Sequence, residues 1–439
     1  MQQFTTYGAK IHMDSAKPVQ AMIRIYRNAV SFLIHVCMEQ WEEIAQNKTL
    51  QARQMCVERL IHHTTNRPTV VYEDFDKQFY KLPSYIRRSA ISEAVGKVES
   101  YQGNLRRWEK EKNGKAPGKP EAGYTYPVLY RKNMYERTGE YTARIKVWIR
   151  NTWDWMDIRF RKSDADYIAR HCSDRMTFSP TVIRKGKQWF LQFPFSENVS
   201  LGEKEIQEQV ILAVDLGINN ACACSAMKYD GTVVGRKIFR MPAEEDCLNH
   251  QLNRIRKEMK QGHRHFPSLW ASIESLNRHI AVETARFIME TATGFNADGI
   301  VFEHLDPGKK KSSRNRRQRL HMWKCRDIQS MVTCKAHRLG IRTSHVCAWN
   351  TSALAFDGSG KVERGIDHNH SICRFTTGKV YNCDLNASYN IGARYYIREL
   401  LKTMPVTAGL DISAKVPECS RRSTCTLSTL ISLNAVLAA

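Results

Sequence analysis

Several features are missing from this 439-residue sequence, and each absence removes a class of function. No apolar run approaches the roughly 20 residues that span a bilayer. The longest candidate, Ala29 to Met38, is short and carries His35, so no membrane partner is expected. The start, Met1-Gln-Gln-Phe-Thr-Thr, lacks a basic segment followed by an apolar one, so no secretory leader is expected. The 13 cysteines are odd in number and form no small-domain framework, which suits reduced thiols in a cytoplasmic compartment. No internal repeat or long low-complexity tract occurs. Acidic residues are scarce: 44 Asp and Glu face 67 Lys and Arg, so the net charge is 67 − 44 = +23. A surplus of that sign points to a polyanionic partner, with nucleic acid first.

Hydrophobic residues make up 42% of the chain, enough for packed cores, and the length suggests two to four domains at roughly 150 residues each. Residues 1–17 read as an edge strand with a loop. From Pro18, apolar residues at Ile23, Tyr26, Ala29, Val30, Leu33 and Val36 recur at helical spacing, and helical texture continues to about Arg107. Lys, Gly and Pro then mark an exposed loop up to Gly123. Thr142 to Arg150 alternates as a half-buried strand, and Lys185-Gly186 sits between two further strands as a hairpin turn. Beyond the polar run Glu203–Gln209 come three strands (Val210–Leu216, Ala221–Met227, Thr232–Phe239) and long helical sequence from Ala243 to Thr293. A buried strand, Gly299–Phe302, a helix from Arg319 to Leu339 and a strand at Gly340–Thr343 follow. A Gly/Asp/Asn-rich stretch leads to a last helix from Asp384. This is the element order of an α/β RNase H-like domain.

Three acids occupy special places in that order. Asp215 ends the first apolar strand, Glu303 ends the fourth, and Asp384 opens the last helix. Asp is disfavoured within strands, so its place after Val-Ile-Leu-Ala-Val asks for a reason. Phosphodiester hydrolysis offers one, because two divalent ions can stabilise both the attacking and the leaving oxygens. Mg²⁺ prefers oxygen ligands and keeps several waters, so a few carboxylates suffice. Taken singly, each acid also reads as a turn former, a solvated strand cap or a first-turn helix charge.

At these residues the sequence resembles TnpB, the transposon-encoded RNA-guided nuclease, and the compact type V CRISPR effectors. Val214-Asp-Leu-Gly-Ile-Asn-Asn resembles the first RuvC motif, Val301-Phe-Glu-His-Leu the second, and Asp384-Leu-Asn-Ala-Ser-Tyr-Asn-Ile the third, with Asn386 and Asn390 in matching places. The resemblance is specific from about residue 209 to 401 and matches only in layout before that. It implies a RuvC nuclease domain preceded by a β-rich wedge module with an inserted α-helical recognition region. The divisions it suggests are a wedge start at 1–17, a helical recognition region at 18–123 and the wedge proper at 124–205. They continue with the nuclease domain at 206–342, a target-nucleic-acid-binding insert at 343–383, the rest of the nuclease at 384–404 and a tail at 405–439. It implies that Asp215, Glu303 and Asp384 are catalytic and bind two Mg²⁺, with Mn²⁺ able to substitute. It further implies a structured guide RNA, recognition of a short flanking DNA motif, and cleavage of guide-complementary double-stranded DNA by one RuvC site. Whether the guide derives from a transposon end or is a CRISPR RNA with a scaffold is left open, as is monomer against homodimer. The alternatives are a guide-dependent DNA-binding protein that does not cut, and another RNase H-like transposon enzyme.

The family usually carries a four-cysteine zinc module before the third motif, and here the second cysteine of each pair is missing. Cys347, His368 or His370, Cys373 and Cys383 are the weak substitute set. The favoured reading is a zinc-free module with its cysteines left as small buried residues. Lys309, Lys310, Lys311, Arg314, Arg316, Arg317 and Arg319 form the densest basic run, expected to contact nucleic acid beside Glu303 rather than serve only as a solvated face. A second set joins Arg106, Arg107, Arg131 and Lys132 with Tyr124, Tyr126, Tyr130 and Tyr135. It suits stacking on single strands or heteroduplex, or equally packing of the tyrosines between helix and β module. Trp148, Trp153 and Trp155 read as core. The segment Leu427–Leu437 reads as a helix packing back or as a frayed end.

Overall fold

A computed structural model of the protein describes residues 1–79, 81–112, 114–217, 221–305, 324–366, 369–404 and 414–438. Gln2–Glu197 and Asn198–Ala439 form two units, and each has its own core.

In the first unit a strand is followed by helices, and only then by the rest of its sheet. The order is β1 (Gln2–His12), α1 (Lys17–Glu39), α2 (Trp41–Ala45), α3 (Leu50–Ile61), α4 (Asp74–Gln78) and α5 (Ser84–Glu111). Then come β2 (Tyr135–Arg137), β3 (Thr142–Ile149), β4 (Thr152–Phe160), α6 (Lys162–Cys172), β5 (Met176–Thr177), β6 (Thr181–Lys185) and β7 (Gln188–Asn198). Pro18 in the first turn of α1 presets the helical φ, and Val19, Met22, Ile23, Tyr26, Val30 and Leu33 form its buried face. That face packs on α5, where the Tyr26 and Ser89 hydroxyls stand 3.2 Å apart. The sheet runs β2-β3-β4-β1-β7-β5, with β6 on β7. The first strand is therefore interior, between β4 and β7, and not the edge strand expected. Its neighbours come more than 130 residues later, so its place is a tertiary fact. The core reading of the tryptophans holds only for Trp153, which packs against the core. In the β3–β4 register Trp148 faces Trp153 and Lys146 faces Trp155, while Ala143, Ile145 and Val147 are buried. All three tryptophans are half-buried, and Arg144 and Lys146 lie over the ring of Trp155 at 4.8 and 5.9 Å.

The second unit is built on the sheet β10-β9-β8-β11-β12. Its strands are β8 (Val210–Asp215), β9 (Cys222–Lys228), β10 (Val233–Phe239), β11 (Gly299–His304) and β12 (Arg342–Cys347). The helical stretch expected as one is two, α7 (Pro242–Lys260) and α8 (Pro267–Gly294). The chain breaks at Gly262, whose φ of +93° suits only glycine, and Pro267 restarts it. After α9 (Cys325–Arg338), the Gly/Asp/Asn-rich stretch carries a three-stranded sheet of β13 (Glu363–Ile366), β14 (Asn369–Arg374) and β15 (Val380–Asn382). Polar composition and a register shift between Arg364 and Ile366 hide its period. Helix α10 (Cys383–Lys402) covers one face of the main sheet, and α8 and α9 cover the other. Helix α11 (Leu427–Ala438) packs back on α10 through Leu427, Leu430 and Leu433, which decides the tail. No helix among the described residues is long and apolar enough to cross a membrane.

Helix α10 is buried on nearly all sides. Gly392 permits this, because a β-carbon there would meet Met227 Sδ at 2.4 Å and Ala213 Cβ at 3.2 Å. The helix also carries a polar stripe at i, i+4 and i+8. Asn386 Nδ2 donates to Leu354 O, and its Oδ1 accepts from Phe356 N. Asn390 Nδ2 donates to the carbonyls of Thr351 and Leu354, and its Oδ1 accepts from Leu427 N. Arg394 donates to the carbonyls of Cys347, Trp349, Ser423 and Cys425 at 2.7–3.1 Å. Replacing Arg394 by Met would leave those carbonyls without their donor. Arg394→Met is expected to cost on the order of 3 kcal/mol. Urea unfolding measures the loss, and limited proteolysis should release the segment 414–438 before the rest of the chain.

Candidate active site

The three acids meet because of strand parity. Strand β8 pairs parallel with β11, Val214 beside Phe302, so Asp215 and Glu303 follow in step at the carboxyl ends of adjacent strands. Side chains at matched positions of parallel neighbours point to the same face. Ile211, Ala213 and Val301, with the same parity, pack under α10, while Leu212, Val214, Ile300 and Phe302 face α8 and α9. Asp215 and Glu303 therefore lie on the α10 side. The amino end of α10 supplies Asp384. Asn382 caps the helix, its Oδ1 accepting from the amides of Asp384 and Leu385 at 3.0 and 2.9 Å. The cap is thus Asn382, and Asp384 is a first-turn residue.

Charge at this meeting point is costly. Burial first, then Glu303, then Asp384, hold the Asp215 carboxyl well above the ordinary carboxylate range. Arg364 of β13 acts in the opposite direction on Asp215. Its guanidinium donates to Ser352 O at 2.6 Å. Arg364 is a residue that sequence reading missed, since nothing in its local context distinguishes it from any surface arginine. Gln329 of α9 tethers the Glu303 backbone by donating to its carbonyl oxygen. Among the described residues, no three His, Cys, Asp or Glu side chains stand close enough to form a ligand shell as placed. The donor set itself fits a hard divalent cation: Asp215 lies within electrostatic reach of Glu303 and Asp384 where burial penalises its charge, and a cation would relieve both effects on it.

Among the described residues the cysteine set forms no ligand shell. Cys373 and Cys383 are free thiols that share a hydrogen bond in a small core with Ala355, Phe356, Phe375 and Tyr381. Burial pushes the Cys373 thiol up to about 12, so it is a protonated, apolar side chain. Cys347 lines a different hollow of about 530 Å³, with His345, Cys419 and Cys425. His368 lies outside the described residues, as does the basic run with Lys309, Lys310, Lys311, Arg314, Arg316, Arg317 and Arg319. Of the second basic set, Arg106 and Arg107 are exposed near the end of α5, and Arg131 and Lys132 are exposed in the turn before β2. Tyr124 is 93% exposed, whereas Tyr135 is buried. Tyr126 lies under Arg27, and Tyr130 packs on Tyr85. Three of the four tyrosines thus pack, and one is free to stack.

Comparison with known proteins bears on the fold. Residues 5–149 match the model of the Aq_aa04 family. The chain is 26% identical over 237 residues to the TnpB-like protein aq_aa05 of Aquifex aeolicus (strain VF5), which covers 48% of this chain and 76% of that protein. In structure it is similar to a chain of a Cas12f1–sgRNA–target DNA complex determined by cryo-EM. The TM-score is 0.53 at 13% identity, covering 85% of this chain and 83% of that one. The likeness shows the fold alone, an α/β RNase H-like arrangement shared with the Cas12f1 chain, and about half of the sequence is similar to the TnpB-like protein.

The raised Asp215 carboxyl sets a sign for stability without metal. The unfolded chain ionises at the ordinary value near 3.9, whereas the folded one resists ionisation. This contribution therefore favours folding at low pH and is lost as pH rises through the folded value. Asp215→Asn removes it and should raise the metal-free melting temperature at pH 7, at roughly 2–4 °C per kcal/mol recovered. Adding Mg²⁺ should raise the melting temperature of the wild type and leave that of the variant nearly unchanged. A lower metal-free melting temperature for Asp215→Asn would contradict this account of the site.

Proposed function

We propose that this protein is an RNA-guided, divalent-metal-dependent DNA endonuclease. It binds a structured guide RNA, reads a short motif flanking the target, and cuts guide-complementary double-stranded DNA with one RuvC site. The observation that carries the reading is the convergence of Asp215, Glu303 and Asp384 on one face at one end of an RNase H-like sheet. A protein that only bound its guide and target would gain nothing from three mutually repelling carboxylates at a strand end. The relatives add support: one is TnpB-like, and the other is a Cas12f1 complex with sgRNA and target DNA.

The residues divide the work by their positions. Asp215 and Glu303, on adjacent strands of a packed sheet, form the rigid side of the site. Asp384 sits on a helix amino terminus, whose partial positive charge favours its carboxylate. Together they would hold Mg²⁺, two ions by the chemistry of the donor set, with Mn²⁺ able to substitute. When bound, the ions supply charge stabilisation at the attacking and leaving oxygens of the phosphodiester. Arg364, facing the acids from the insert, would place a positive group beside the phosphate undergoing attack. The helical region and the β-rich module of the first unit would hold the guide and the flanking DNA, with sequence delegated to base pairing. The basic surface supports this: Arg106, Arg107, Arg131 and Lys132 are exposed there.

Two experiments test the reading. Protein expressed with its native flanking RNA should retain a discrete RNA through a moderate-salt wash, and Asp215→Ala should abolish cleavage in Mg²⁺ while guide-dependent DNA binding persists. Loss of the RNA removes the guided reading, and continued cutting by Asp215→Ala removes the RuvC assignment. Arg364→Ala should lower the cleavage rate constant by about 10²-fold, the scale of losing one electrostatic stabiliser. Its target affinity, measured in Ca²⁺, should stay within twofold.

A further inference from the structure

In the first unit, the hollow between α6 and the sheet has a shape and charge that the proposed cleavage chemistry does not use. It encloses about 500 Å³, within the range of roughly 300–1,000 Å³ typical of small-molecule sites. Its floor is aromatic: Tyr135, Phe160, Phe193 and Phe195 line it from the strands. The rings of Tyr135 and Phe193 meet at 5.7 Å and 67°, and those of Phe160 and Phe193 at 6.0 Å. Opposite, α6 presents Ala165 and Ala169, one turn apart, with Cys172 below them. Small residues at those positions keep the space open, since a longer side chain at either would close it over the rings. Ala169 is itself exposed, at the lip.

The rim carries the second observation. Arg131, Lys132 and Arg137 stand around the opening, all exposed. No carboxylate among the described residues pairs with any of them. Glu136, the acid at the rim, is already taken by Arg144, whose Nε and Nη2 donate to it at 2.8 and 2.6 Å. Arg137 is held in place by donating to the carbonyls of Gly139 and Glu140, with its guanidinium 5.3 Å above the Phe160 ring. Lys132 adopts a φ of +66° in a turn closed by its amide to Tyr135 O at 2.9 Å, which holds its neighbour Arg131 beside the mouth. Flat rings inside and unpaired cations outside complement a planar base that carries a phosphate, with its base within and its phosphates at the rim.

We propose that this hollow binds one unstacked nucleotide of the RNA held by the protein. The inference rests on the guided reading above and specifies a point at which that RNA is gripped. An unstacked base buried between aromatic and apolar walls contributes on the scale of a stacking contact, and the three cations would meet its flanking phosphates. Recognition here would anchor a chosen nucleotide of the RNA fold and not only its backbone.

The test uses full-length protein with the RNA that copurifies with it. Ultraviolet crosslinking followed by mass spectrometry should place a nucleotide adduct on Tyr135, Phe160 or Cys172 and identify the position in the RNA. Removing the base at that position should weaken binding to RNA-free protein about tenfold. Ala169→Trp, which fills the hollow without touching a cation, should weaken the intact RNA by a similar factor. The two changes together should cost no more than either alone. If the RNA binds and its adducts all lie elsewhere, or Ala169→Trp folds and leaves the affinity unchanged, the hollow is not a nucleotide site and the guided reading stands. If no RNA is retained at all, both fall. Native mass spectrometry that finds a fatty acid displaced by Ala169→Trp would assign the hollow to an acidic lipid and overturn the proposal. Crosslinking on the wild type decides the question even if Ala169→Trp fails to fold.

Discussion

Helix α10 has to satisfy two demands at once, and three of its side chains meet the second. It lies flat on β8 and β9, which requires small residues such as Gly392 on the sheet side. It must also hold the end of β12 with the loop that follows it to Phe356, and the segment Ser423–Leu427 that leads into α11. Asn386, Asn390 and Arg394 saturate those backbones from a single stripe. Buried polar groups are costly unless paired, and here the pairing is what attaches those two segments to the helix on the main sheet. The position of Asp384 follows from this, because the helix that carries it is fixed along its length.

The acids show the opposite balance. Their meeting is imposed by the sheet and the helix and opposed by their own charge. Asp215 bears the largest burden, since burial and two neighbouring carboxylates all press against its ionisation. Packing elsewhere supplies the compensation: Ile211, Ala213 and Val301 bury the same face one and two pleats behind the acids. The hydroxyls of Ser225 and Ser388 close the gap between sheet and helix at 2.5 Å. A site strained in this way is stabilised by any cation that enters it, which ties metal affinity directly to folding stability.

What could be read in advance followed from local pattern. The period of β8, the apolar run of β11 and the Asn-rich opening of α10 each mark an element, and their order implies the fold. The three acids were legible from their conjunction at element ends in that order, since of the three only Asp215 breaks a local preference. Arg364 was not, because its role depends on β13 being brought over the strand ends, and β13 is too short, too polar and too irregular to show a period. The place of β1 was likewise hidden, because only pairing with β4 and β7 makes it interior. The tryptophans were legible only in part, because alternation marks two faces but does not say which is covered, and of the three Trp153 packs against the core.

The three-stranded insert has a small aromatic core of its own. Its core is centred on Phe356, whose ring meets Phe375 at 5.4 Å, Tyr381 at 5.1 Å and Tyr389 of α10 at 5.2 Å, all edge to face. Such pairs contribute about 0.5–1.5 kcal/mol each beyond the area they bury, and Lys379 covers the Phe356 ring from outside at 4.7 Å. Cys373 and Cys383 fill the space beneath as neutral thiols. The consequence reaches the active site. The Tyr381 hydroxyl meets that of Tyr389 at 2.8 Å, and both accept from Arg236 of β10. The insert is thereby fastened to the helix bearing Asp384 and to the main sheet by side chains alone. Arg364, on the first strand of that insert, is thereby kept within electrostatic reach of Asp215.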